Sequence, residues 1–130
     1  MKKRAFFWIL GILFFASGIS AQGVPQGLVD AFKRGSSQAL SDFLSNKVEL
    51  VILNQTSTAN KDTVEREMAA FFSRNSVNDF TVNHEGNRNE SSFIIGTLNT
   101  SSGSYRVNCF FKKVQDKNLI HQIRIDKTNE

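Results

Sequence analysis

Two histidines, one tyrosine and one cysteine are the side chains of this 130-residue chain best suited to proton transfer or nucleophilic attack near neutral pH. His121 stands in an alternating run with Leu119, Ile123 and Ile125, so period-2 parity aims it at the apolar face of a strand. An imidazole there could act as acid, base or ligand anchor, because it titrates near neutral pH. The commoner role of such a residue is a core histidine bonded to a backbone carbonyl or to Tyr105, and that is the expectation. Tyr105 and Cys109 share a second alternating face with Val107 and Phe111. Tyr105 could donate a hydrogen bond into an interior pocket, with Phe71 as an aromatic wall. Cys109 reads as a buried, inert thiol, since burial without a cationic neighbour raises its pKa. His84 adjoins Glu85 beside a polar turn and reads as a solvated histidine.

Other chemistries lack their ligands or motifs. A zinc site needs three or four convergent ligands, and no His-x-x-x-His or Cys-x-x-Cys spacing occurs. No loop clusters carboxylates as calcium requires. There is no Gly-x-Ser-x-Gly elbow and no glycine-rich phosphate loop. Asp126 has outward parity, Asp79 and Glu85 flank a strand, and Asp42 and Glu49 read as surface residues. No catalytic residue, metal ligand or cofactor is therefore assigned.

Lys2, Lys3 and Arg4 precede an uncharged apolar run, Ala5–Phe15, and then the small residues Ala16–Ala21. This is the order of a secretory signal peptide, with cleavage expected between Ala21 and Gln22. The apolar run is short for a membrane span. The expected mature chain, residues 22–130, is then periplasmic or secreted, with no membrane span after cleavage. The leader also carries most of the apparent basicity. Without its three cations, 13 Lys and Arg face 12 Asp and Glu. Those charges are mixed along the chain, which argues against a nucleic-acid partner. With a single cysteine there is no internal disulfide, so the fold rests on its core.

The elements that must position these residues follow from periodicity. Pro25 opens a helix with Val24, Leu28, Ala31 and Phe32 on one face, and Gly35 stops it. Ser36 or Ser37 caps a second helix carrying Ala39, Leu40, Phe43 and Leu44. Val48–Asn54 is a strand and Gln55–Asn60 a polar loop. Asp62 and Glu65 form a capping box for a third helix, with Val64, Met68, Phe71 and Phe72 inward. Four strands follow, around Phe80–Val82, Ser92–Asn99, Tyr105–Val114 and Leu119–Asp126. Their turns are expected at Glu85–Asn89, Ser101–Gly103 and Asp116–Asn118. Segregated helices and strands joined by short turns predict an α+β fold. Its helices pack in the concave face of a curved, mainly antiparallel sheet.

Ala39-Leu40-Ser41-Asp42-Phe43-Leu44 running into Val48-Glu49-Leu50 resembles the ketosteroid-isomerase and nuclear-transport-factor-two superfamily, a cystatin-like cone. Val64–Phe72 looks like its third helix, and SYRVNCFFKKV with LIHQIRIDK looks like its closing hairpin. With the leader, the chain looks most like the bacterial secreted domain-of-unknown-function 4783 family. The resemblance implies the cone fold and a bacterial envelope setting. It supplies no function, because this superfold hosts isomerases, dehydratases and binding modules alike.

The expected function is thus an exported binding or interaction module of the bacterial envelope without evident catalytic machinery. The alternative is a small-molecule enzyme or carrier using a cone pocket around Tyr105, His121, Cys109 and Phe71. The expected partners are a second copy of the chain, an envelope protein or a small apolar ligand. For the homodimer the candidate face is the outer side of the sheet, where non-core parity leaves Phe110 and Ile120 among Arg106 and Arg124.

Overall fold

The computed structural model describes residues 25–128, so the expected leader and its cleavage point lie outside the described residues. Helix α1 spans Gln26–Arg34. Its apolar residues recur at helical spacing, which buries Leu28, Ala31 and Phe32. Gly35 ends it in the left-handed region at φ 61°, and the Ser36 N–H bonds back to the Ala31 carbonyl at 2.9 Å. Helix α2, Ser37–Ser41, is a little over one turn, capped by Ser36 Oγ accepting from the Ala39 N–H at 3.1 Å. It is shorter than its sequence predicts. Leu44 belongs to strand β1 (Leu44–Ile52) and lies beside Ile120 in the sheet.

Gln55–Asn60, expected as a loop, is strand β2. Leu53 and Asn54 both take positive φ, 48° and 74°, the signature of a two-residue type I′ hairpin. β2 lies at the sheet edge and nearly all of it is exposed, so no apolar alternation marks it. Helix α3, Lys61–Arg74, starts earlier than the expected box. Asn60 Oδ1 accepts from the Thr63 N–H at 2.9 Å, and Asp62 sits in the first turn. The remaining strands are β3 (Val77–Arg88), β4 (Ser91–Thr100), β5 (Gly103–Val114) and β6 (Lys117–Lys127).

The six strands run in the order β2-β1-β6-β5-β4-β3. β1 and β6 are parallel, and every other pair is antiparallel. The helices pack in the concave face of this curved sheet. Its inner lining is Val48, Leu50, Phe80, Ile94, Leu98, Tyr105, Val107, Cys109, Phe111, Ile120, Ile123 and Ile125, none more than 4 % exposed. Phe32 of α1 stacks on Phe80 of β3 at 4.8 Å between ring centroids, which ties the first helix to the far edge of the sheet.

Candidate functional site: the outer face of the sheet

Of the residues expected around a pocket, three pack together in the core and His121 does not join them. Tyr105 pairs with Lys127 at one end of the β5–β6 hairpin. Its ring meets Phe71 edge to face at 5.2 Å, and its hydroxyl donates to Asn75 Oδ1 at 3.1 Å. Asn75 Nδ2 in turn donates to the Phe71 carbonyl at 2.9 Å, closing the end of α3. Phe71 is 1 % exposed. Cys109 is fully buried, and burial pushes its thiol up to about 12. Tyr105, Phe71 and Cys109 thus belong to one packed interior.

His121 lies elsewhere. Phe110 pairs with Gln122 and Phe111 pairs with Ile120, so His121 is the extra residue of a β-bulge. The bulge reverses the parity expected for the start of β6. Ile120, expected on the outer face, points inward and is fully buried. His121, expected inside with Ile123 and Ile125, is half-buried at the Phe110–Phe111 bulge, partway along the hairpin from the Tyr105–Lys127 pair. Its Nδ1 lies 3.1 Å from the Leu119 carbonyl and its Nε2 lies 3.4 Å from Ser45 Oγ. The pairing between β1 and β6 also shifts register between Leu44 and Glu49, so Ser45 meets His121 where both ladders are irregular. Among the described residues one buried side-chain polar atom has no partner, Asn108 Oδ1. It pairs with Ile95 and Arg124 on the outer face, outside the cone interior.

That outer face can be read row by row from the strand register. One row runs Gly86, Phe93, Phe110, Gln122, Glu49 and Thr58 across all six strands. Gln122 Nε2 donates to Glu49 Oε1 at 3.1 Å. Phe93 and Phe110 are direct cross-strand neighbours, 39 % and 37 % exposed. The Phe93 ring occupies the space over Gly86 that any larger residue would fill, since an added Cβ would meet it at 2.3 Å. Aromatic neighbours on adjacent strands make a continuous apolar patch. Arg106 and Arg124 lie on the same face, and Arg124 Nε pairs with Asp126 Oδ2 at 2.9 Å. That exposed ion pair adds little stability and leaves both charges usable at an interface. Phe93 was not legible as part of this patch. It begins the apolar run Phe93-Ile94-Ile95, which has no alternation to assign its side; the pairing with Phe110 assigns it.

The outer face thus combines two exposed rings, an amide–carboxylate pair, and both signs of charge at the margin. No group of three or more His, Cys, Asp or Glu among the described residues is placed to hold a metal ion. No described helix is long and apolar enough to cross a membrane.

Residues 25–126 match the family model described as a domain of unknown function, DUF4783, and the chain belongs to that family. A DUF4783 family protein from Bacteroides ovatus is 54 % identical, with a TM-score of 0.80, covering 82 % of this chain and 97 % of that one. Two more distant structures share the fold alone. A domain with a cystatin-like fold from Nostoc punctiforme is 10 % identical at TM-score 0.65, covering 81 % of this chain and 73 % of that one. A protein of the NTF2-like family from Streptomyces avermitilis is 12 % identical at TM-score 0.62, covering 81 % and 91 %. Among curated proteins nothing matches the chain.

Proposed function

We propose that this protein is an exported interaction module of the bacterial envelope that docks through the outer face of its sheet, first of all onto a second copy of itself. The observation that carries this reading is the exposed Phe93–Phe110 pair. A single exposed ring is ordinary, whereas two adjacent rings on the outer sheet face lower their free energy when a partner covers them. Arg106, Arg124, Asp126 and Glu49 around them carry both signs, as a surface that meets its own copy requires. Export is supported by the Lys2–Arg4 charges, the Ala5–Phe15 run and the small residues before Gln22. An enzyme or carrier built on Tyr105 and His121 is the weaker reading, because the two lie several residue pairs apart along one hairpin and each is bonded within the protein.

In-cell cross-linking tests the proposal. A photoreactive phenylalanine replaces Phe110 in the exported protein. A cross-linked product from the envelope fraction, of twice the mass and containing this chain alone, is expected. Recovery of uncross-linked protein only, or of cytoplasmic protein retaining Met1, contradicts it.

A further inference from the structure

We propose that the paired ends of the β3–β4 and β5–β6 hairpins form a cationic docking site for an anionic lipid bilayer, next to the Phe93–Phe110 patch, with which Arg88 and Ser91 share a depression. Register places these ends side by side. Arg88 pairs with Ser91, Ser91 with Lys112, and Lys112 with Leu119. The Lys113 N–H donates to the Glu90 carbonyl at 2.9 Å, which fastens one hairpin to the other. Beyond that bond β5 and β6 continue without β4, pairing Lys113 with Asn118 and Val114 with Lys117. Gln115 and Asp116 turn the chain at φ 53° and 68°. This two-residue turn keeps Lys113 and Lys117 on the paired tip of the hairpin. Val114, at its tip, is 39 % exposed and lies roughly 13 Å along the strand from Phe110.

The charge here is concentrated. Arg88, Lys112, Lys113 and Lys117 face Glu90 and Asp116, four against two, a net +2. Residues 22–130 total +1, so the remainder of that stretch is net −1. All four cations are exposed. The ion pair found among the described residues is Arg124–Asp126, so none of the four has a carboxylate partner there. Fixed cations around an exposed apolar tip match a surface of negative headgroups over hydrocarbon. An acidic peptide would use the charges and leave Val114 idle, so the bilayer is the better fit. This inference rests on the proposed export, which would bring the site to the lipid surfaces of the envelope.

Vesicle flotation tests the site with residues 22–130, which contain the whole segment matched by the family model, residues 25–126. The probes are phosphatidylcholine vesicles with increasing phosphatidylglycerol. Binding should rise with the phosphatidylglycerol fraction and fall as salt is raised. The Lys112→Glu, Lys113→Glu, Lys117→Glu variant should bind at least about tenfold more weakly at an unchanged thermal midpoint. If that variant misfolds, the corresponding Gln variant should show the same direction. Equal binding to pure phosphatidylcholine, or no loss in either variant, overturns the site. So does tight capture by soluble polyglutamate without vesicle binding, which would make the partner an acidic chain.

Discussion

At the scale of single residues, the account rests on which side of the sheet each side chain takes. Phe111 is 2 % exposed among inward-facing residues of β5, so Phe111→Ala should cost about 3–5 kcal/mol in chemical denaturation. A loss below about 1 kcal/mol would mean that the ring is not core. Tyr105→Phe deletes one neutral hydrogen bond and leaves Asn75 Oδ1 buried without its donor, which should cost roughly 1–3 kcal/mol. Cys109 gives a pH dependence of known sign. Its folded pKa is raised by burial, from 9.0 to about 12, so the folded state holds the proton that the unfolded state releases. The contribution is complete below pH 9 and is lost as pH rises toward 12, with a slope of up to about 1.4 kcal/mol per pH unit. Stability against pH, compared between wild type and Cys109→Ala, should show that extra alkaline slope in the wild type alone. Parity in the sequence assigned Tyr105, Val107, Cys109, Phe111, Ile123 and Ile125 to the inner face, where they lie. It misassigned Ile120 and His121, because one inserted residue in β6 leaves no local mark; the bulge exists only in the pairing with β5.

At the scale of elements, the strong periodic segments and the stop of the first helix at Gly35 were legible, whereas the start of α3 and the edge strand β2 were not. Helix α1 stops at Gly35 because the αL conformation there suits glycine. Helix α3 begins at Asn60, which closes β2 with extended backbone while its side chain caps the helix. A capping box read from Asp62 and Glu65 could not reveal that, since Asn60 is informative only once β2 is known to lead into it. Asn60→Ala should lower the thermal midpoint through the loss of about 1 kcal/mol of capping. An unchanged midpoint would show that the helix start is held by its packing instead. β2 escaped detection because an exposed polar edge strand has no buried face to leave a pattern. The Leu53–Asn54 turn escaped because it lacks the glycine that usually announces a type I′ turn, and the turn expected at Asp116–Asn118 lies one residue earlier, at Gln115–Asp116.

At the scale of the whole molecule, the α+β cone followed from the order of elements, and the family match over residues 25–126 is consistent with that order. The outer face was expected from the parity of Phe110, Arg106 and Arg124, but its second exposed ring was not. A patch is a property of neighbours on adjacent strands, and Phe93 and Phe110 become neighbours only when β4 and β5 are in register. The central claim is that this face joins two copies, and sedimentation velocity on residues 22–130 at micromolar concentration tests it most directly. The wild type should sediment as a dimer and a Phe93→Glu, Phe110→Glu variant as a folded monomer, because four carboxylates cannot share a desolvated centre without a large penalty. A wild type that sediments as a monomer across that concentration range would contradict the claim.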